Sequence, residues 1–339
     1  MHTRKIGSLE VSAIGLGCMN MSMGYGPADD VISEKLLNQA IDAGYRFFDT
    51  ATMYGGGHNE KLIGEALKSR RNEFVLASKC SLFKDEEGKG KIDGRPESLK
   101  KHCEASLKRL QTDVIDLYYL HRLDKNVPIE ESIGALGDLV KEGKLREVGL
   151  SEISSETLRR AHAEFPVAAV QSEYSLWSRT PEFSMLQTCT ELGVTFVPFS
   201  PLARQFLTGK SRDVTQLGQA DLRCSIARPR FEAEAFAQNS KLLVPYGKIA
   251  ERMDCSMSQL ALAWLLNLKD SNGNQTMVPI PGTKHIDFMQ ENAEASVVTL
   301  DESTMVELNE LINESTVIGR RYTDQLMDGA DSERDRINE

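Results

Sequence analysis

Short apolar runs alternate with amphipathic segments along most of this chain. The runs are rich in β-branched and aromatic residues, and we predict buried strands at 14–19, 47–51, 74–79, 116–121, 148–151, 167–172, 195–200 and 277–280. Segments with apolar residues at helical spacing separate them, and we predict helices at 31–43, 59–67, 96–110, 129–140, 155–162, 181–192 and 257–268. Strands that are apolar nearly throughout and alternate with helices predict a parallel sheet covered by helices.

Eight such units in 339 residues favour a closed (β/α)8 TIM barrel of the α/β class. An open doubly wound sheet is the alternative. Its dinucleotide fingerprint has the spacing Gly-x-Gly-x-x-Gly, but here Gly15 and Gly17 are followed by Asn20 at the third position. The missing third glycine disfavours the open sheet.

Three segments depart from the alternation. Residues 3–13 form a predicted short N-terminal β-hairpin around Gly7 and Ser8. A long loop with weak periodicity begins at 201 and separates the seventh and eighth strands. We predict a single barrel domain over 1–318 and a charged C-terminal tail over 319–339, which is expected to be peripheral or partly ordered because it has few apolar residues.

The long loop is basic although the chain is acidic. Between 200 and 230 it holds six basic residues against the two acids Asp213 and Asp221. A bound anion is one explanation and an ordinary solvated loop is the other, and the sequence leaves both open. The basic residues are Arg204, Lys210, Arg212, Arg223, Arg228 and Arg230.

Composition narrows the classes of function. The formal net charge of −10 disfavours nucleic acid or an anionic membrane as a partner. The six cysteines are scattered without a CxxC pair, which is typical of a reducing compartment, and we expect neither disulfides nor a metal site. No apolar run approaches ~18 residues, so we expect no transmembrane helix, no signal peptide and a cytoplasmic location.

Polar side chains stand at the ends of three successive predicted strands. Asp49 ends the second strand, Lys79 the third and His121 the fourth. Tyr54 lies in the loop after Asp49, and the carboxyl ends of barrel strands share one face, so the four side chains are expected to converge. The Lys79 ammonium would lower the pKa of the Tyr54 phenol from its usual ~10. Such a tyrosine suits proton donation to a carbonyl, with Asp49 holding Lys79 charged and His121 orienting the oxygen.

Carbonyl reduction also needs a hydride donor, which no side chain supplies. Phe199 offers a flat face for a nicotinamide ring, and Ser151, Glu152 and Gln171 offer groups for its carboxamide. Lys284 and the basic loop could hold phosphates. The sequence therefore predicts a nicotinamide cofactor and a small-molecule carbonyl or alcohol substrate.

Two other functions remain open, and the oligomeric state is not predicted. A Schiff-base barrel lyase would use Lys79 as its nucleophile, although Asp49 nearby would keep the amine charged and unreactive. A redox-sensing regulatory subunit would bind the nicotinamide cofactor without rapid turnover, but the sequence contains no visible partner motif.

These motifs resemble the aldo-keto reductase superfamily over nearly the whole chain, from Gly15 to Asn292. The most specific are Phe48-Asp49-Thr50-Ala51-x-x-Tyr54-Gly55 and Ile280-Pro281-Gly282-Thr283-Lys284, with further matches at 59–67, 78–79, 113–121, 149–151, 199–202 and 291–292. The segments 121–122, 149–152 and 173–179 resemble the pyridoxal reductase and perakine reductase-like branch.

The resemblance implies a barrel that binds NADP(H) extended across its mouth and reduces an aldehyde or ketone to an alcohol. It implies that Tyr54 is the general acid, that Lys79 and Asp49 tune it, and that His121 orients the carbonyl. The implied cofactor residues are Ser151, Glu152 and Gln171 at the carboxamide, Phe199 at the ring, Ser200, Leu202, Arg204 and Lys210 in the loop over the pyrophosphate, Lys284 with Thr283 and Gly282 at the 2′-phosphate, and Glu291 and Asn292 at the adenine.

The chain departs from the family pattern at four positions. Glu152 replaces a common asparagine, and Phe199 replaces a common tyrosine. Gln205 stands where glycine is frequent, and Phe288 stands where a basic residue often binds the 2′-phosphate. Lys284 is then the main predicted cation, and one charge-assisted contact of about 1.5–3 kcal/mol still favours NADP(H).

The substrate site is predicted from residues on or near loops at the barrel mouth. Met19, Tyr25, Phe83, Arg122 and Trp177 are the candidates. Most are apolar or aromatic, which predicts a carbonyl compound with an apolar or aromatic body. Ordinary packing at the barrel rim is the alternative for each of them.

Overall fold

A parallel sheet forms the centre of the protein, with strand order β3-β4-β5-β8-β9-β10-β11. The computed structural model describes residues 1–211 and 213–336, so Arg212 of the basic loop and residues 337–339 of the tail lie outside the described residues. The strands are β1 (Thr3–Ile6), β2 (Leu9–Ser12), β3 (Leu16–Gly17), β4 (Phe47–Asp49), β5 (Val75–Cys80), β6 (Leu82–Lys84), β7 (Gly90–Ile92), β8 (Ile115–Leu120), β9 (Leu145–Ser151), β10 (Ala169–Glu173) and β11 (Thr195–Phe199).

An extended segment at 277–282 closes the sheet into a barrel. On one side the Gly15 amide donates to the Pro279 carbonyl (2.9 Å), and on the other the Ile280 amide donates to the Pro198 carbonyl (3.0 Å). Because prolines have no N–H, this seam cannot form a regular ladder of hydrogen bonds. The predicted (β/α)8 barrel is confirmed, and its eighth strand is irregular at these prolines.

Helices cover the outside of the barrel, and those that were predicted begin and end close to the predicted positions. The prediction at 181–192 is too long because a separate 3-10 turn, Thr180–Glu182, precedes α6. Helices α7, α8, α10, α11 and α12 were not predicted. The helices are α1 (Asp30–Asp42), α2 (His58–Leu67), α3 (Pro96–Leu110), α4 (Ile129–Lys141), α5 (Ser155–Glu164), α6 (Met185–Leu192), α7 (Ala233–Asn239), α8 (Leu243–Arg252), α9 (Met257–Asn267), α10 (Ile286–Glu294), α11 (Glu302–Leu311) and α12 (Asp324–Gly329).

The N-terminal hairpin of β1 and β2 covers the amino-terminal end of the barrel. Its side chains Ile6, Leu9 and Val11 are buried in one cluster with residues of the barrel interior. The Ser8 amide donates to Glu147 in β9 (2.8 Å), and the Thr195 hydroxyl at the start of β11 donates to the Lys5 carbonyl (3.0 Å). The hairpin is therefore a floor beneath the strands.

The C-terminal tail packs against the barrel and is not peripheral. Asp331 accepts a hydrogen bond from the Ser154 amide (2.8 Å), and Asp335 accepts one from the Ser155 amide (3.0 Å). These carboxylates lie at the N-terminus of α5, where the helix dipole favours negative charge. Four charged side chains of the tail, which suggested a solvated segment, are buried, namely Arg321, Asp331, Glu333 and Asp335, and Arg321 is only 5% exposed.

No helix of the described residues combines the length and the apolar character needed to cross a membrane. Within the same residues, no group of three or more His, Cys, Asp or Glu side chains is arranged to hold a metal ion. The six cysteines are free thiols.

Candidate active site

The carboxyl ends of the strands surround a cavity of about 490 Å³. Asp49, Tyr54 and His121 line it, and Lys79 lies behind Tyr54 and is completely buried. The structure thus brings together the four side chains that were predicted to converge from the ends of the strands. Their convergence follows from the parallel order of β4, β5 and β8, which are neighbours in the sheet.

Lys79 is the centre of this group. Its Nζ donates to Asp49 Oδ1, to the Thr50 carbonyl (2.9 Å) and to the Tyr54 hydroxyl (3.1 Å). Gln171 Nε2 donates to the other oxygen of the Asp49 carboxylate (2.8 Å). Every donor and acceptor of this buried ion pair has a partner, which offsets the free energy of removing two charges from water.

A glycine turn places Tyr54 against Lys79. The glycines at 55–57 have φ values of 61°, 65° and 94°, a left-handed conformation that glycine adopts without strain. A Cβ atom at Gly57 would also lie 2.8 Å from Arg109 Cδ. The chain can therefore turn sharply between Tyr54 and the start of α2.

Asn59, in the first turn of α2, fixes this loop from behind. Its Oδ1 accepts from the Thr50 hydroxyl (2.6 Å), and its Nδ2 donates to the Cys18 carbonyl (2.9 Å) and to Ser22 Oγ (2.8 Å). Asn59 belongs to the motif quoted for the resemblance, but sequence reasoning gave it no role. Its buried contacts show that it holds the loop after β4 to the loop after β3.

Burial decides the protonation states of the group. It raises the pKa of Tyr54, and the Lys79 ammonium offsets this only in part, so the net direction is opposite to the lowering that the sequence predicted. Burial lowers the pKa of Lys79, but Asp49 and Tyr54 raise it further, so the ammonium persists at neutral pH. Burial, together with Arg122 and Lys79, holds the pKa of His121 well below 6.5, so its ring is neutral.

His121 can bind the same ligand atom as Tyr54. The two rings meet edge to face, with centroids 5.9 Å apart and planes at 85°. The buried Nδ1 of His121 has no hydrogen-bond partner among the described residues. Since a neutral imidazole carries one N–H donor, His121 and Tyr54 can both donate to one oxygen atom in the cavity.

Most of the predicted cofactor residues line this cavity. They are Gln171, Phe199, Ser200, Leu202, Arg204, Lys210, Gly282, Thr283, Lys284, Glu291 and Asn292. Ser151 and Glu152 do not line it. Ser151 Oγ is buried and lies 3.2 Å from Arg122 Nη1.

Glu152 is directed away from the cavity, which corrects its predicted contact with the carboxamide. Its Oε2 accepts from Arg321 Nη2 (2.7 Å) and from the Ser332 hydroxyl (3.1 Å), and its Oε1 accepts from the Glu173 amide (3.0 Å). Burial raises the pKa of Glu152, but Arg321 and Arg122 lower it more, to about 2. The glutamate side chain is longer than that of asparagine and carries a negative charge, so it reaches and pairs with Arg321 of the tail.

The loop after β11 has an unusual backbone. Ser200, Ala203, Arg204 and Gln205 have φ values of 50°, 50°, 54° and 80°. Such a conformation costs a residue with a side chain about 1–2 kcal/mol. Gln205, which stands where the family often has glycine, offsets this strain by accepting a hydrogen bond from Arg223 Nη1 (2.7 Å).

Two lysines lie at the end of the cavity that Phe288 lines. Lys284 Nζ donates to the Tyr25 carbonyl (2.9 Å) and to the Pro27 carbonyl (2.5 Å). Lys210 Nζ lies 4.9 Å from the centre of the Phe288 ring, a distance typical of a cation–π contact. Position 288 carries no positive charge because its residue is a phenylalanine, but the Lys210 ammonium of the loop places a positive charge beside it.

Three of the five predicted substrate residues line the cavity, namely Met19, Tyr25 and Arg122. Phe83 lies outside it and packs on His102, with ring centroids 4.8 Å apart. Trp177 is buried in a stack on Phe206 (4.1 Å). Arg223, one of the basic loop residues named above, also lines the cavity. Sequence reasoning missed other residues of the wall, for which the local pattern gave no signal: Asn20, Met23, Met53, Leu82, Leu222, Ile226 and Tyr322.

Known proteins resemble this chain in sequence and in structure. A family model described as "Aldo/keto reductase family" matches residues 13–313. A Schizosaccharomyces pombe protein named aldo-keto reductase yakc, with NADP(+) in its name, is 41% identical over 326 residues, covering 94% of each chain. A probable aldo-keto reductase 1 from Glycine max is 40% identical and covers 92% of this chain and 89% of its own.

Solved structures support the same assignment. A glycerol dehydrogenase from Gluconobacter oxydans superposes with a TM-score of 0.80 at 28% identity, covering 91% of this chain and 94% of its own. An aldo/keto reductase from Klebsiella pneumoniae, solved in complex with NADP and acetate, has a TM-score of 0.69 at 26% identity. The match covers 95% of this chain and 98% of that protein's chain. The narrower pyridoxal reductase and perakine reductase-like branch stays a prediction. The chain belongs to the aldo/keto reductase family and is an oxidoreductase.

Proposed function

We propose that this protein is an NADP(H)-dependent reductase that converts an aldehyde or ketone into an alcohol. The observation that carries the proposal is the Tyr54 hydroxyl, which faces the cavity 3.1 Å from the Lys79 ammonium. NADP occurs in the name of the S. pombe relative and in the description of the K. pneumoniae structure, which supports this cofactor for the present chain.

Bound NADPH would supply a hydride to the carbonyl carbon and become NADP+. Tyr54 would transfer its proton to the carbonyl oxygen, which takes up the electron pair of the broken π bond. The raised pKa of Tyr54 keeps that proton in place at neutral pH, and the Lys79 ammonium stabilises the phenolate left behind. Neutral His121 would donate a hydrogen bond to the same oxygen and orient it.

The wall of the cavity fits a nicotinamide cofactor. Half-buried Phe199 presents its ring to the cavity, and Lys210 and Lys284 supply positive charge for phosphate. Gln171 is the one predicted carboxamide ligand on the wall. Its Nε2 is committed to Asp49, so its Oε1 is the atom that can accept from a carboxamide.

The geometry around Lys79 does not support the Schiff-base alternative. A nucleophilic amine must lose its proton, but Asp49 and Tyr54 raise the pKa of Lys79 above its ordinary value. Lys79 is also completely buried behind Tyr54 and does not line the cavity. A substrate in the cavity would meet Tyr54 first.

The substitution Tyr54→Phe tests the proposal. It removes the proton donor and keeps the ring, so turnover should fall by at least ~10² while NADPH still binds. Loss of NADPH absorbance with a panel of aldehydes and ketones measures turnover, and the fluorescence of NADPH measures binding. Near-normal turnover in this variant would remove Tyr54 from the mechanism.

Tyr118→Phe is the matched control. Tyr118 is also fully buried, but its hydroxyl lies 3.2 Å from Ser106 Oγ in α3, on the outer side of the barrel. Turnover should be unchanged. If the unaltered protein binds NADPH tightly and every carbonyl compound oxidises it very slowly, the redox-sensing alternative replaces the enzyme.

A further inference from the structure

A buried cluster of charges joins the C-terminal tail to the loop that follows β11. It contains two guanidinium groups and three carboxylates. These residues are Arg204, Arg321, Glu152, Glu173 and Glu333. None of the contacts within this cluster is used by the proposed proton transfer.

Glu173, at the end of β10, is shared by two arginines of distant segments. Its Oε2 accepts from Arg204 Nη2 of the loop (2.6 Å) and lies 3.5 Å from Arg321 Nη1 of the tail. Arg321 also donates to Glu152 (2.7 Å) and to Glu333 (2.7 Å). The tail is therefore held to the ends of β9 and β10, and one of the carboxylates that hold it, Glu173, also holds the loop.

Tyr322 adds a second connection between the tail and the loop. The guanidinium carbons of Arg204 and Arg321 each lie 4.8 Å from the centre of its ring. Arg204 and Tyr322 both line the cavity, whereas Arg321 lies behind them. Removing the tail would remove the Tyr322 ring that stacks on Arg204, and with it the Arg321 guanidinium, which is the second positive charge beside Glu173.

The loop needs such support from outside. Its residues at 203–205 are three successive non-glycine residues with left-handed φ values. Strained backbone of this kind persists only where surrounding contacts determine it. The Glu152 departure from the family pattern then has a physical reason, because Glu152 is the main partner of Arg321.

We propose that the tail residues Arg321 and Tyr322 position the cofactor loop: they hold Arg204, through Glu173 and by stacking, where it faces the cavity. Arg321 is thus a positioning residue, since it touches no ligand itself. The identity of the ligand, NADPH, comes from the proposed function. The predicted effect on the backbone of the loop does not depend on that function.

The experiment compares Arg321→Met with Arg320→Met. The neighbouring Arg320 is exposed and pairs with Asp324 on the surface, so it controls for the loss of one positive charge from the tail. Hydrogen exchange of the protein without cofactor should be faster at 200–210 in Arg321→Met and unchanged in Arg320→Met. The KM for NADPH should rise about tenfold in Arg321→Met, while kcat at saturating NADPH changes by less than about twofold.

Tyr322→Leu keeps every buried charge paired and so decides the question if Arg321→Met does not fold. It should speed exchange at 200–210 and raise the KM for NADPH, with kcat retained. Unchanged exchange in the folded variants, an equal effect in Arg320→Met, or a fall in kcat at constant KM would overturn the proposal. Failure of the unaltered protein to bind NADPH would instead overturn the proposed function, and the exchange without cofactor would still test the positioning of the loop.

Discussion

Two buried ionic clusters lie at the carboxyl ends of barrel strands, one at β4 and β5 and the other at β9 and β10, and they differ in what they face. Lys79 and Asp49 lie next to Tyr54 and His121, which line the cavity. Glu152 is equally buried and equally placed at a strand end, but both of its oxygens are bonded inside the protein. A buried charge at a strand end therefore indicates proton transfer only when it contacts a proton donor that lines the cavity, as Lys79 contacts Tyr54.

The largest expected effect tests this contrast directly. Lys79→Met and Arg321→Met each leave a buried carboxylate without its cation, and each should lower the free energy of unfolding by ~3–5 kcal/mol. Urea denaturation measures both losses. Only Lys79→Met should also abolish turnover, because only Lys79 contacts the proton donor. If Arg321→Met lost turnover to the same extent, the two clusters would not be functionally distinct.

A pH series should separate the ionic cluster of the tail from the rest of the protein. Burial raises the pKa of Glu152, but Arg321 and Arg122 lower it to about 2 from an ordinary 4.5. Because the folded pKa is the lower one, the carboxylate stabilises the fold above pH 4.5 by an amount on the order of 3 kcal/mol, and this is lost as the pH falls towards 2.

Glu152→Gln should remove that part of the pH dependence. Free energies of unfolding from urea denaturation, measured for both proteins at several pH values below 5, give the difference. A constant difference between the two proteins across this range would show that Glu152 is not an ionised partner of Arg321.

The smallest expected effect concerns the far end of the cavity. If Lys284 faces the 2′-phosphate, Lys284→Met should weaken NADPH binding about tenfold and leave NADH binding nearly unchanged. Fluorescence titration with each cofactor measures the ratio. Lys241→Met, an exposed lysine bonded to Gln238, is the control. An equal loss for both cofactors would place Lys284 away from the 2′-phosphate.

The sequence predicted the parts of the molecule that depend on local pattern. Apolar runs marked the strands, and the shared face of a barrel brought Asp49, Lys79 and His121 together without further information. The strand predicted at 277–280 lies within the seam at 277–282, although the prolines make that seam irregular.

The remainder depends on pairs that are far apart in the chain. Glu152 and Arg321 are separated by 169 positions, so no local pattern could show that one neutralises the other. The tail was predicted to be peripheral because composition counts charges and cannot show that they are paired. The raised pKa of Tyr54 was missed for a related reason, since the sequence shows the neighbouring lysine but not the depth of burial.

The N-terminal hairpin beneath the strands limits how ligands enter and leave the barrel. Because β1 and β2 cover the amino-terminal end and buried side chains such as Phe47, Leu117 and Tyr119 fill the barrel interior, a molecule that reaches Tyr54 enters and leaves at the carboxyl-terminal face. Two ligands held there together cannot exchange from opposite sides, so the one bound deeper is released last. Product-inhibition patterns in steady-state kinetics would reveal that order.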